Sequence, residues 1–445
     1  MCLSHTTDSS PRSGLPGLSS VKQLWVVQMK AVIHSGDKGA ENELPAHTAG
    51  GRMRIVAKFG GTSVADGDRI NRAADSIAAA VEAGHEVAVV VSAMGGTTDV
   101  LLDEMKFDAT EADRAEIVSM GERTSVRMLK GALEARGIDA EFLEPGRDNW
   151  PIITDEYGEV DVDVTRARAE DCAESMADGV VPVITGFLAE DHDGTITTLG
   201  RGGSDTTAVM LGNYMGADEV VIVTDVEGVM TGDPNVVEGA RNVGEITVDE
   251  LRNLSFRGAE VVAPSALTYK TGDLEVRVVH HQHGDLLTGG TNIEGEFENL
   301  IDLQERELAC ITIAGRSIRN QPGVLSRLST TLADAGINVE TNSSGLDSIT
   351  FYVDAEDAKE AETVLHERVV EDEILSSVTL EEGIAVVRVA GGELQDKSGA
   401  VNNVLGPLAE EHIYIHDVVT SATSISVFVD WEERERALEL LRDVF

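Results

Sequence analysis

"RIVAKFGGTSVADGDRI", residues 54–70, sets a short apolar run against a pair of glycines and then an amphipathic stretch that opens after Asp66. The run reads as a strand, Gly60-Gly61 as a tight turn and the remainder as the start of a helix. A strand that turns through bare glycines into a helix offers backbone N–H groups and a positive helix end, which together favour an anion. Lys58 ends the strand within reach of that anion. Lysine is scarce in this chain: nine residues, against 26 arginines and 79 acids, in 445 residues with a net charge of -44. A lysine beside exposed backbone in so acidic a protein points to a bound group more anionic than the protein itself, a phosphate. The bland alternative is a strand-to-helix turn with a surface lysine. The pattern is neither the P-loop nor the dinucleotide fingerprint, so generic nucleotide motifs do not explain it.

Working outward, apolar runs keep alternating with amphipathic stretches, the signature of a mainly parallel sheet flanked by helices. "DRINRAADSIAAAVEAG" predicts a helix ending at Gly84, and "EVAVVVSA" a strand covered on both faces. A long helix follows through "ADRAEIVSMGERTSVRMLKGALEARG", ending at Gly137. "VVPVITGFLAE" reads as one strand. "TITTLGRGGSDTTAVMLGNYMGAD" is a strand, a glycine turn and a helix. "EVVIVTDVEGV" and "LEVRVVH" complete an α/β/α sandwich over residues 53–297.

Beyond residue 308 the grain changes. Residues 308–380 read strand, helix, strand, strand, helix, strand, with "INVETNSS" as the second strand. Residues 384–445 repeat the order but end in a helix. These are two ferredoxin-like βαββαβ modules. The second lacks its closing strand, and an open sheet edge is a liability. We expect that edge to be covered by another segment of this chain or by a partner.

Composition excludes several functions. The acids are spread evenly, which argues for an acid-coated, halophilic surface in a salt-rich cytoplasm and against nucleic-acid binding. No apolar stretch approaches the roughly 20 residues of a membrane helix. Cys2, Cys172 and Cys310 are isolated, giving neither a disulfide framework nor a zinc site. Residues 1–52 carry four acids and five bases, unlike the rest. They read as a disordered or non-native extension ahead of a start at Met53.

Three further turns fall at predicted strand ends, where open α/β sheets bind ligands. In "VSAMGGTTD", Ser92 and Thr98 bring hydroxyls to a flexible turn, suited to a small polar substrate. In "GRGGSDTTA", Arg201 is a fork donor for a carboxylate, Gly202 and Gly203 expose amides, and Ser204 or Asp205 caps the next helix. In "VTDVEGVMTGDPN", Thr224 and Asp225 end a strand, and the turn after them suits a base and ribose. Glu122, inside a helix, reads by default as a solvated charge. His280, His281 and His283 resemble metal ligands, but adjacent strand residues point to opposite faces. No dedicated metal set is expected.

"KFGGTSV", "SMGER", "GRGGSD" and "TDVEGV", in this order and followed by two βαββαβ modules, resemble the aspartate kinases of the amino-acid kinase family, with tandem ACT domains, across residues 53–445. The resemblance implies attack of the β-carboxylate of L-aspartate on ATP, with Mg²⁺ carried on the nucleotide. It implies that Lys58 stabilises the transferring phosphoryl group while Gly60, Gly61, Thr62, Gly202 and Gly203 line the phosphates. Arg201 then pairs with a substrate carboxylate, Glu122 with the substrate ammonium, and Ser92, Thr98 and Ser204 complete the pocket. Asp205 orients Lys58 or the substrate. Thr224, Asp225, Met230, Asp233, Asn235 and Glu260 fall on the nucleotide side. Met230 and Asn235 replace the family's usual tyrosine and arginine, and Glu260 replaces a lysine, a sign reversal for which Lys270, Arg257 or bound cations must compensate. Asn320, Gln321, Gly323, Asn338 and Val339 become candidates for an effector pocket taking lysine or threonine. Assembly as a homo-oligomer through the ACT domains is expected. The competing readings are an amino-acid sensor without turnover, and a sister kinase acting on glutamate, acetylglutamate or a nucleotide. The kinase reading requires Lys58 and Arg201 to face one crevice.

Overall fold

Valine-, isoleucine- and alanine-rich runs form the buried centre of an eight-stranded sheet in the computed structural model. The structure describes residues 51–442 except 156–157, 235, 256–260, 283–285, 297–299, 317, 392–398 and 422–423. The first half holds β1 (Arg54–Phe59), α1 (Gly67–Glu82), β2 (Glu86–Val91), α2 (Thr97–Glu104) and α3 (Glu111–Glu134). It continues with β3 (Ala140–Leu143), β4 (Ile153–Thr154), α4 (Val162–Ala177), β5 (Val181–Thr185), β6 (Leu188–Asp191), β7 (Ile196–Thr198) and α5 (Gly203–Tyr214). After these come β8 (Glu219–Thr224), β9 (Glu245–Thr247), α6 (Val248–Ser255), α7 (Pro264–Leu267), β10 (Glu275–His280) and β11 (Thr291–Glu294).

The sheet order is β3-β5-β2-β1-β8-β10-β11-β9. Strands β3 to β10 are parallel, and β11 runs antiparallel to β10. Phe59 registers with both Val91 and Val223, so the loops after β1, β2 and β8 leave from one edge. Alternation along the strands divides two cores. Ile55, Ala57, Phe59 and Val223 pack with α1 and α3 on one face. Val56, Val90 and Ile222 pack with α4 and α5 on the other.

The run read as one strand at 180–190 is broken. Gly186 and Phe187 separate β5 from β6, and Phe187 takes φ 69°. A Cβ on Gly186 would stand 2.6 Å from the Ser204 hydroxyl oxygen, so α5 presses against the chain there. Strand β6 then joins β4 and β7 in a separate three-stranded sheet.

The C-terminal half is one sheet rather than two strings of strands. It contains β12 (Leu300–Leu303), β13 (Leu308–Gly315), α8 (Val324–Asp334), β14 (Thr341–Ser344), β15 (Ser348–Asp354), α9 (Ala358–Glu371) and β16 (Leu375–Ala390). A helix at Ala400–Glu410, β17 (Ile415–Thr420), β18 (Ser424–Asp430) and a helix at Arg434–Arg442 complete it. The two strands expected on either side of residue 382 are the single 16-residue β16. Its register shifts against β13 between Ile384 and Glu381, at Gly383 with φ 82°, a bulge that bends the strand without ending it. β12 pairs antiparallel with residues 387–390 of β16. The edge expected to be open in the second module is therefore closed by a segment that precedes the first. The strand expected over 337–344 forms only at Thr341–Ser344.

Candidate active site

Helix α5 starts where the site is densest. Its N-cap is Gly202 at φ 74°, with no side chain capping the first turn, so neither Ser204 nor Asp205 caps as expected. The Asp205 carboxylate is engaged elsewhere: Oδ1 lies 2.6 Å from Lys58 Nζ, and Oδ2 accepts from Ala263 N at 3.1 Å. Both side chains of the ion pair are 12% exposed. A Cβ on Gly202 would stand 2.3 Å from the Ala263 side chain, which is why glycine occupies the cap. Ala263 precedes Pro264, a context that favours the extended backbone (ψ 131°) it shows here. Sequence reasoning missed this amide.

The turn after β1 is packed as a lid over strand ends. Gly60 N donates to Val223 O at 3.1 Å, and Ser63 Oγ donates to the same carbonyl. A Cβ on Gly61 would stand 2.8 Å from Ala93 O. At Gly60 the nearest atom to a built Cβ is Lys58 Nζ, 3.5 Å away, so the ammonium sits against bare backbone. Thr62 is exposed, and its carbonyl accepts from Arg69.

Glu122 overturns its default reading. It is 3% exposed, because Gly121 lets α3 approach Ala93 closely. Its Oε1 accepts from Ala93 N at 3.2 Å, while Oε2 is buried without a hydrogen-bond partner among the described residues. Burial pushes its pKa from 4.5 up to about 7, against the two backbone hydrogen bonds. A buried carboxylate oxygen with no donor is arranged to accept one from elsewhere.

A cavity of about 690 Å³ opens beside these groups, with Thr98, Phe187, Thr198 and Arg201 among its lining. That is within the range of small-molecule sites. Neither Lys58 nor its partner Asp205 is among the lining residues, so this cavity holds Arg201 without Lys58, and the single crevice expected for the two is not what it shows. Ser92 follows β2, its amide donating to Phe59 O, and Ser204 is buried where α5 meets Gly186.

Of the residues expected to border the nucleotide, Thr224 and Asp225 lie at the end of β8, with Thr224 Oγ1 donating to Asp225 Oδ1 at 3.4 Å. Met230 bridges to Asn242, and the Asp233 carbonyl accepts from Val236 and Val237. Asn235, Arg257 and Glu260 lie outside the described residues. Lys270 is 4% exposed and donates to the carbonyls of Thr271 and Gly295, ahead of β10 at the edge where the strands begin. Burial holds its pKa below the ordinary value.

His280 and His281 do not point apart. Their rings stack with centroids 4.6 Å apart, because β10 ends at His280. His283 lies outside the described residues, and no group of three metal-ligating side chains is disposed around a common point among those described. No helix among them is long and apolar enough to cross a membrane. Cys172 and Cys310 are buried free thiols, pushed up to about 12 and about 11 by burial.

In the first module, Gly323 caps α8 at φ 83° and Gln321 N donates to Ile318 O. Asn338 Nδ2 donates to Glu340 Oε1 at 3.0 Å, and Val339 packs against the module core. Asn320 and Gln321 are exposed.

The amino acid kinase family matches residues 53–280, and ACT domain families match residues 311–369 and 379–443. Aspartokinase 2 of Bacillus subtilis is 33% identical over 407 residues, covering 88% of this chain and 97% of that protein. An aspartokinase of Thermus thermophilus is 34% identical over 407 residues, covering 88% and 98%. The crystal structure of aspartate kinase from Synechocystis superposes with a TM-score of 0.71 at 28% identity, over 87% of this chain and 69% of that one. The chain belongs to the amino acid kinase family. Within that family it groups with the aspartate kinases, built here as a mainly parallel α/β unit followed by ACT domains.

Proposed function

We propose that this protein transfers the γ-phosphoryl group of ATP to the β-carboxylate of L-aspartate, giving 4-phospho-L-aspartate and ADP. The observation that carries the reading is Lys58, held 2.6 Å from Asp205 with its ammonium against the bare Gly60 backbone. An ionised carboxylate needs no general base to attack phosphorus, so positioning and charge neutralisation supply the rate. Lys58 neutralises charge on the transferring group, and Asp205 fixes its direction. The turns at Gly60-Gly61 and Gly202-Gly203 let phosphate oxygens approach bare backbone, although the Gly60 and Gly203 amides themselves are held by Val223 O and Gly200 O, and Thr62 lies beside them. Arg201 takes a substrate carboxylate, Glu122 the substrate ammonium, and Ser92, Thr98 and Ser204 frame the side chain. Thr224, Asp225, Met230, Asp233, Asn235 and Glu260 border the nucleotide. Mg²⁺ enters bound to ATP.

In this reading residues 53–297 are catalytic, and residues 308–380 and 384–445 are ACT domains, the second completed by β12. They sense an end-product amino acid, lysine or threonine, at Asn320, Gln321, Gly323, Asn338 and Val339, and join subunits into a homo-oligomer. The enzyme opens a cytoplasmic route from aspartate to lysine, threonine and methionine. Its acid surface suits concentrated salt. A hydroxamate assay with ATP, Mg²⁺ and aspartate in molar KCl tests the reading; acyl-phosphate formed from glutamate but not aspartate, or from neither, overturns it. The sensor reading, motivated by Met230, Asn235 and Glu260, predicts amino-acid binding with no hydroxamate.

A further inference from the structure

The stacked histidines at the end of β10 serve no step above, yet they face a small pocket of unusual charge. It lies on the α1 face of the sheet, behind Phe59 and Val223, whereas Lys58 reaches α5 on the other face. Its volume is about 10 Å³, room for one water-sized sphere. Arg69 and Arg72 from α1, His280 from β10 with His281 just after it, and the hydroxyl-bearing Ser63 and Ser76 line it, and among the described residues no carboxylate does. In a chain with 79 acids against 35 lysines and arginines, that local excess runs against the whole surface.

Among the described residues, the partners of Arg69, Arg72 and His281 leave the pocket electropositive. The acid near Arg69 is Asp66, one helical turn back at 3.7 Å on the solvent side. Arg72 pairs with no carboxylate among the described residues. His281 is fixed: its backbone N and its Nδ1 both meet Thr224 O, at 2.8 and 3.0 Å. A carbonyl only accepts, so Nδ1 carries a proton. That leaves Nε2 buried and without a partner among the described residues. Burial, His280, Arg69 and Arg72 together hold the imidazole below its ordinary pKa, which keeps Nε2 a lone pair among cations. A negative ion at that point reverses the balance, because the imidazolium then has a donor to give and a charge to meet.

We propose that this pocket binds one small monovalent inorganic anion of halide size, chloride in physiological salt. Arg69 and Arg72 supply the charge, and His281 donates Nε2–H after taking one proton from solvent. Because His281 also holds the Thr224 carbonyl, the bound anion tightens the end of β8. A single-sphere cavity excludes sulfate and phosphate.

The test is thermal unfolding of the full chain in potassium chloride, bromide, gluconate and sulfate at matched ionic strength, for the wild type and Arg72→Gln. General salt effects act on both proteins alike, so the decisive quantity is their difference. We expect chloride and bromide to raise Tm of the wild type over the variant saturably, by about 3 °C once the halide exceeds its Kd tenfold. The difference should grow from pH 8 to pH 6 as His281 takes up its proton, and gluconate should erase it. Bromide-soaked crystals should show an anomalous peak between Arg72 and His281. A difference independent of the anion, one larger in sulfate, or no bromide peak at that position overturns the proposal. None of these readouts depends on kinase turnover.

Discussion

Two buried ion pairs lie across the same sheet, and their difference separates support from chemistry. Arg277 Nε meets Glu219 at 2.6 Å, near the edge where the strands begin; Lys58 meets Asp205 at the same distance, near the edge where they end. Every nitrogen of the guanidinium has a partner, because the other two donate to Gly289 O and Leu286 O. The ammonium has Asp205 as its one partner among the described residues, leaving two of its three donors for something else. Nearby, Glu122 Oε2 is likewise buried and unpartnered. Closed networks hold strands together; networks left incomplete at strand ends keep donors and acceptors that a ligand can use.

The sharpest way to break this comparison is at Lys58. Lys58→Met should lower kcat about 10³-fold, the scale of losing one preorganised charge at a transition state. It also strands Asp205, so stability falls with activity. Adding Asp205→Asn should restore the melting temperature and leave kcat low. If the double variant recovers turnover, Lys58 is structural and the distinction fails.

Arg277→Met should do the opposite. Removing one member of a buried pair leaves Glu219 uncompensated, at a cost of about 3–5 kcal/mol. Denaturant melts should show that loss, while kcat per folded molecule stays within about twofold. A selective fall in kcat would mean that the edge where strands begin also serves the reaction.

The sequence made the open half of this comparison easier to find than the closed half. Lys58, Gly60 and Gly61 stand out because a scarce lysine and adjacent glycines interrupt an apolar run. Arg277 sits in "EVRVVH" as an ordinary strand residue, and only the fold brings Glu219 opposite. Glu122 reads as solvated because its burial depends on Gly121 meeting Ala93 across 28 residues of chain, a contact without local periodicity. The parallel core was legible from its apolar runs. The break at Gly186-Phe187 was not, since a glycine inside an apolar run reads as strand until α5 is seen pressing on it. Strand β12 is four residues at a sheet edge, too short to carry a pattern. "EEG" at 381–383 reads as a turn, but one left-handed glycine makes only a bulge there.

Glu122 tests the open network through pH. Its raised pKa means that the native state holds a proton the unfolded chain has already lost between 4.5 and about 7. Stability should therefore fall as pH rises across that window and level off above it. Glu122→Gln should lack the decline. If Glu122 takes the substrate ammonium as proposed, ionisation creates its acceptor, so wild-type KM for aspartate should drop as pH passes about 7. In Glu122→Gln, KM should be pH-independent there and about tenfold higher, the scale of losing one charged hydrogen bond. A KM profile shared by both proteins would remove Glu122 from the substrate site.

The smallest expected effect lies at Gly60, where the two ends of the comparison can be weighed in one residue. Its φ is -66°, open to any residue, and an added Cβ meets Lys58 Nζ at 3.5 Å and Val223 O at 3.6 Å, ordinary contacts. The fold gives glycine no advantage there, so Gly60→Ala should leave the melting temperature unchanged or slightly raised. If the bare backbone is needed for a phosphate to approach, the added methyl should raise KM for ATP about fivefold, within the roughly 1.4 kcal/mol of a tenfold change. Gly61→Ala makes the contrast, because its Cβ would stand 2.8 Å from Ala93 O and disturb the fold itself. An alanine at position 60 that binds ATP as well as glycine would show that this turn is shaped by packing alone.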